Sequence, residues 1–414
     1  MNIHLTIAAA AASTAFAALA DSSVSDVVAR QRWPWSETVD IDYTVTGDRC
    51  DVDFTATWDG QSTPVLLGTA FQAEAGQHRF EWCPTNSYAG QTLTGFTVAA
   101  TAASTNDHRY LILDLANGGY SYTNAAPTGG WTAEHKSTKM VFRRIPAGTY
   151  SLGYTAEQMT QLNNGTSPNN LYIEAYKKRN TTLSSDFYIA VFRLSTAQYK
   201  ALSGEEPGSD LKVKATTYNE VRGSSDGDSI SWPATKYRVA AGSLAAKLRA
   251  KAHGTLVIDL PEEEQWEAAA RAGTTTLWPN GGTTDDPYGS LADYVNAIAI
   301  WKGGGQTSPD DYPVGSKSPS GFGLYDVVGL GHTEWTLDSG VPYNASSPIP
   351  KYGLGDATDP VGAAFAGKRI IRSQSGSETT PYSMGMAIRQ LMLPTYTGAT
   401  ARFAIHLKPL NFGN

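Results

Sequence analysis

The sequence predicts two parts: a small all-β sandwich, then a larger α+β domain with much irregular structure. Three observations lead there. Apolar and polar residues alternate with period two through the N-terminal part, as half-buried strands do. Helix-start and helix-stop signals appear later, from Ser195 to Gly273. Gly is 40 and Tyr 21 of 414 residues while charged residues are 17%, a composition of strands and loops rather than of a disordered chain.

Charge and hydropathy narrow the function classes. Lys+Arg is 32 against Asp+Glu 39, a net −7, with no basic block to contact phosphates. Nucleic acid is therefore not an expected partner. After the first residues, no apolar run reaches the ~18 residues of a membrane-spanning helix. Met1 to Ala20 is read as a signal peptide: an apolar run starts at Leu5, and Ala18-Leu19-Ala20 fits an A-x-A cleavage pattern. The n-region holds only His4, without Lys or Arg. The expected location is outside the cytoplasm: periplasmic, cell-surface or secreted.

Residues 21–103 are expected to form the sandwich. Val39-Asp40-Ile41-Asp42-Tyr43-Thr44-Val45 is apolar on one face, and Cys50 to Trp58 repeats the pattern. Asp59-Gly60 supplies a turn, His78 to Cys83 gives a strand stopped by Pro84, and Thr92 to Val98 gives another. Cys50, Trp58 and Cys83 resemble an immunoglobulin core, although the tryptophan follows too soon after Cys50. In an exported chain the two cysteines are expected to pair, closing a loop that contributes ~3–4 kcal/mol. A metal or redox pair lacks a nearby histidine cluster. Trp33-Pro34-Trp35 reads either as an aromatic platform for sugar or, more commonly, as rings buried against a core. Residues 104–137, polar around the strand Tyr110-Leu111-Ile112-Leu113, are read as a connector packed between domains.

Residues 138–414 carry the α+β pattern. Met140 to Leu152 reads as strand, Pro146/Gly148 turn and strand, followed by Phe187-Tyr188-Ile189-Ala190. Ser195 can cap a helix opening at Thr196, because its hydroxyl accepts from orphan N–H groups. Ser231-Trp232-Pro233-Ala234 leads to a helix through Leu244 and Leu248 that stops near Gly254. Leu260 to Gly273 opens with Pro261 and three glutamates, which suit a helix N-terminus, and places Trp266, Ala269 and Ala270 on one face. Later come Pro313-Val314-Gly315 and Gly323-Leu324-Tyr325-Asp326-Val327-Val328-Gly329, then Glu334-Trp335.

In this order, these segments resemble the formylglycine-generating enzyme family, the sulfatase-modifying factors. The family pattern runs M-V-x-x-P-G, F-Y-I, V-S-W-x-x-A, R-L-P-T-E-A-E-W-E-x-A-A-R-G-G, P-V-G and G-L-Y-D-M-x-G-N-V-W-E-W. Leu260 to Gly273 and Gly323 to Trp335 are its specific matches here. The resemblance covers about residues 138–414 and implies a C-type-lectin-like α+β fold with much irregular structure. It does not extend to residues 21–137.

The family's chemistry is altered in this chain. Members that oxidise a sulfatase cysteine hold copper through two cysteines near the C-terminus, after an R-V-x-R-G-G-S-W segment. Copper(I) selects soft thiolates. Here the segment reads Arg369-Ile370-Ile371-Arg372-Ser373-Gln374-Ser375-Gly376-Ser377, and no cysteine follows Cys83. Copper is not expected. A related branch uses histidine-held iron, but the seven histidines show no i, i+4 pair, and only His332-Thr333-Glu334 offers two alternate ligands. Calcium stays open. The resemblance implies oxygen donors at Glu334, where Leu330 replaces the family's asparagine, and at Asn296 with Asp310 or Asp311.

Two functions are expected from this reading. The first is ligand binding, of a protein or glycan, by a domain without catalytic ligands; its surface would run from Tyr352 to about Tyr396, rich in Gly, Ser, Thr and Tyr. The alternative is a metal-dependent oxidase of a thiol substrate. No phosphate-binding loop, G-x-S-x-G or H-E-x-x-H element appears. Asn164 and Asn180 fit glycosylation sequons.

Overall fold

A computed structural model of the protein describes residues 22–33, 36–162, 177–223, 237–283, 291–306, 308, 311–339, 356–360, 367–373, 377, 379 and 384–407. The export segment 1–20, Pro34, Trp35, Asn164, Ser231 to Ala234 and Asp310 lie outside the described residues.

Alternation in the N-terminal part produces two three-stranded antiparallel sheets. Strands β1 (Ser22–Gln31), β2 (Val39–Gly47) and β5 (Gly76–Trp82) pair in the order β1-β2-β5. Strands β3 (Cys50–Trp58), β4 (Gln61–Ala73) and β6 (Thr97–Ala103) pair in the order β4-β3-β6. Val39 lies opposite Trp82 and Ile41 opposite Phe80, so one face of β2 and β5 is apolar. Val39, Ile41, Val52, Phe54 and Ala56 are buried together in one core. Each buried aliphatic or aromatic side chain contributes ~1.5–3 kcal/mol there. This unit comprises Met1–Thr128, Arg249–Val257 and Leu407–Asn414.

The expected Cys50–Cys83 disulfide is not formed; both residues are thiols. The strand pattern explains why. Cys50 opens β3 opposite Ala73, whereas Trp82, next to Cys83, stacks on Phe96 at the Trp58 end of that strand. Eight residues of extended chain span roughly 26 Å, and a disulfide requires Cα atoms within about 7 Å. The spacing that resembled an immunoglobulin pair therefore places the thiols toward opposite ends of the sandwich.

The stretch expected as a connector divides. Strands β7 (Tyr110–Asp114) and β8 (Tyr120–Thr123) form an antiparallel hairpin within the first unit, and Gly129 begins the second. Just before this hairpin, His108 lies between two carboxylates, with Nδ1 2.8 Å from Asp51 and Nε2 2.9 Å from Asp53. Its ring stacks on Tyr122 with centroids 3.8 Å apart.

The second unit comprises Gly129–Leu248 and Ile258–His406. Its strands β9 (Lys139–Ile145), β10 (Gly148–Leu152), β11 (Arg179–Leu183) and β12 (Phe187–Ala190) are followed by β13 (Ile258–Asp259), β14 (Thr333–Ser339), β15 (Ala357–Thr358), β16 (Arg369–Arg372), β17 (Gln390–Met392), β18 (Ala399–Thr400) and β19 (Ala404–His406). They pair as β13-β19-β12-β9, β10-β11-β15 and β17-β16-β14-β18. Helices α1 (Ala156–Leu162), α2 (Thr196–Ser203), α3 (Tyr218–Arg222), α4 (Leu244–Lys251), α5 (Glu263–Arg271) and α6 (Leu291–Ile298) are short and scattered among them. This is the irregular α+β architecture expected. Ser195 caps α2 through a capping box with Gln198, and Gly204 ends the helix in the left-handed conformation.

Gly329 shows why its motif reads as it does. At φ 76°, an added Cβ would lie 2.7 Å from the Ile300 carbonyl oxygen. That same oxygen accepts from Leu330 N–H at 2.8 Å, so the loop entering β14 is fastened to the chain leaving α6.

Candidate functional site

Helix α5 organises the centre of the second unit. All nine of its residues are buried, including Glu263, Glu264 and Glu267. The sequence suggested that the first-turn glutamates favour the helix dipole; in the structure Glu263 and Glu264 also meet arginines. Glu263 accepts from Arg372 Nη1 at 2.8 Å and is paired with Arg389 Nε at 2.6 Å. Glu267 accepts from Arg372 Nη2 at 2.6 Å and from Arg271 Nε at 2.7 Å. Glu264 accepts from Arg179 Nη2 at 3.1 Å. Burial of unpaired charges at this depth would prevent folding, so the pairs are a condition of the helix being central.

Two of these carboxylates are shifted in opposite directions by their neighbours. Burial raises the pKa of Glu267, but the guanidiniums of Arg372 and Arg271 outweigh it and hold the group far below the usual carboxylate range. Burial also raises Glu264, and the neighbouring Glu263 and Asp338 raise it further, to about 8 against the opposing pull of Arg179. Glu264 therefore holds its proton more tightly than an ordinary carboxylate.

Trp266 turns from α5 toward β14. Its ring lies beneath the Arg372 guanidinium, 5.2 Å from the centroid, and its Nε1 donates to Glu334 Oε2 at 2.7 Å. Glu334 is fully buried. Arg402 approaches it in bidentate fashion, Nε to Oε2 at 2.8 Å and Nη2 to Oε1 at 3.0 Å. Arg193 Nε lies 2.8 Å from Oε1. Burial raises Glu334, yet Arg402 and Arg193 prevail and keep it ionised.

The described residues among the predicted metal donors each have protein partners. Glu334 is held by two arginines and an indole. Asn296, on α6, accepts from Trp301 Nε1 through its side-chain oxygen at 2.8 Å, and from Lys317 Nζ through its backbone carbonyl at 2.8 Å. Asp311 is exposed and pairs with Lys212 at 2.8 Å. The His332 carbonyl accepts from Arg193. Among the described residues, no group of three or more His, Cys, Asp or Glu is arranged to hold a metal ion. Cys50 and Cys83 both belong to the first unit. Trp33 is 46% exposed, close to the Arg32 guanidinium.

Sequence reasoning missed the arginines that define this centre. A signal was present: Arg193 interrupts the apolar run Ala190-Val191-Phe192-Arg193-Leu194, and Arg402 stands in Ala401-Arg402-Phe403-Ala404. A charge inside such a run needs a buried partner. The two family-like stretches, Leu260 to Gly273 and Gly323 to Trp335, are brought together here through Trp266 and Glu334.

A family match covers both of these stretches. Residues 131–390 match the family described as sulfatase-modifying factor enzyme 1-like domain. Among solved structures, PvdO from Pseudomonas aeruginosa is similar at 18% identity, with a TM-score of 0.42, over 64% of this chain and 94% of that one. Variable protein 1 from Treponema denticola is similar at 17% identity, with a TM-score of 0.45, over 66% of this chain and 97% of that one. No curated protein matches the chain.

Proposed function

The chain belongs to the sulfatase-modifying factor enzyme 1-like domain family, and on that premise we propose that it is an exported binding protein, its family domain recognising a protein or glycan ligand rather than oxidising a thiol. One observation carries the reading: the chain's two cysteines are Cys50 and Cys83, both outside the 131–390 match. A serine hydroxyl is a hard donor with a far higher pKa than a thiol, so the serines after Arg372 are no substitute as copper(I) ligands. The scaffold residues, by contrast, are retained: Pro261, Trp266, Gly329 and Trp335.

The binding face assigned to this function is drawn from the C-terminal segment from Tyr352 to Tyr396, apart from its buried parts, strand β16 and Met384 to Ala387. Leu393 is 56% exposed and Tyr396 36% exposed, and both fall at its end. Large apolar side chains left in water beside small polar residues are what adaptable recognition surfaces use. The test is binding of the full-length protein to arrays of glycans and of extracellular proteins, with Leu393→Ser/Tyr396→Ser as the comparison. Specific binding lost in the variant, with its melting temperature unchanged, supports the reading. Specific binding untouched by the variant moves the face elsewhere.

A further inference from the structure

The family resemblance implies a calcium ion near Glu334, and the residues present do not fit one. We propose that buried guanidiniums have taken the ion's place, so that this part of the domain folds without calcium.

An ionised glutamate offers about four lone-pair directions. In Glu334 three N–H hydrogen bonds, two from Arg402 and one from Trp266, take up most of them at 2.7–3.0 Å, and the Arg193 guanidinium lies against Oε1 as an ion pair at 2.8 Å. Calcium binds oxygen at about 2.3–2.6 Å and collects six to eight such donors. At Glu334 it would have to displace an arginine or the indole first.

The surrounding carbonyls are engaged in the same way. Calcium sites in loops draw on backbone oxygens. Here Arg193 donates to the carbonyls of Asp326 at 2.9 Å and Leu330 at 3.1 Å, and also to that of His332. Arg402 donates to those of Ala190, Val191 and Tyr325 at 2.7–3.0 Å. The guanidiniums thus gather one carboxylate and several loop oxygens around fixed positive charge, which is the structural work of a calcium ion. Leu330 is fully buried and its side chain brings no oxygen. At Asn296 the backbone oxygen likewise faces an ammonium, that of Lys317.

The test compares thermal unfolding of the purified full-length protein in excess calcium and in excess chelator, together with terbium luminescence sensitised by tryptophan. The expected result is one melting temperature in both solutions, with no terbium emission that depends on Trp266. A calcium-dependent rise in melting temperature that persists in Glu334→Gln also supports the proposal, because the ion then binds elsewhere. Loss of that rise in a folded Glu334→Gln protein overturns it. Where Glu334→Gln does not fold, the emission decides: terbium signal abolished by the conservative Trp266→Phe overturns the proposal, and signal that is absent or survives supports it.

Discussion

Trp266 on α5 donates its indole N–H to Glu334 on β14 at 2.7 Å, across 68 residues of sequence. This bond joins the two stretches that carry the family resemblance, and Arg402 and Arg193 close around the same carboxylate. Trp266 and Glu334 thus belong to one buried polar network with Arg402 and Arg193.

Trp266→Ala should destabilise the second unit by ~3–5 kcal/mol, the cost of removing a large buried aromatic. It also strips Glu334 of a donor. Trp266→Phe keeps most of the volume and loses the donor, and should cost ~1–3 kcal/mol. Chemical denaturation of both variants checks the order; equal losses would show that the hydrogen bond contributes nothing.

Glu264 should make the protein sensitive to alkali. Its folded pKa, about 8, lies above its ordinary value of 4.5 because of burial and the neighbouring Glu263 and Asp338. The folded state therefore keeps a proton that the unfolded chain releases. That contribution is full below the unfolded pKa and is lost as pH rises through the folded one, on the order of a few kcal/mol. Glu264→Gln should flatten the decline in melting temperature between about pH 5 and 9. A variant with the wild-type slope would contradict the assignment.

His108 gives the first unit a similar dependence. Burial lowers its pKa, but hydrogen bonds that the ring donates to Asp51 and Asp53 outweigh that and raise it from 6.5 to about 9. The imidazolium's stabilisation is complete below the unfolded value and disappears as pH rises through about 9. An NMR titration should find the His108 midpoint well above that of an ordinary histidine, and Asp53→Asn should lower it. A midpoint at the ordinary value would leave the two carboxylates without the role given them.

Both cysteines should react as thiols. In unfolded protein prepared without reductant, alkylation should label Cys50 and Cys83 fully, since their strand positions keep them apart in the folded state. A mass consistent with one internal disulfide would refute that register.

The sequence reading succeeded where local chemistry decides the outcome. Alternation from Val39 to Val45 became an apolar face, and Ser195 became a helix cap. It failed where partners are distant. Spacing along the chain brings Cys50 and Cys83 within disulfide-like range, but only the sheet register reveals that they face different ends of the sandwich. Glu262 to Glu264 were read only as helix-dipole partners, because the arginines that meet Glu263 are distant in sequence: Arg372 is 109 positions from it. The partners of Glu334 were hidden for the same reason, its guanidiniums being 141 positions before it in Arg193 and 68 after it in Arg402 by residue number.

The most direct test of the central claim supplies the protein with copper, oxygen and a sulfatase-type cysteine peptide, and follows the peptide thiol by mass. A scaffold whose cysteines all lie outside the family domain should leave the thiol unconverted beyond the protein-free control. Multiple turnovers to the aldehyde would contradict the account and place oxidase chemistry in a domain without a thiolate.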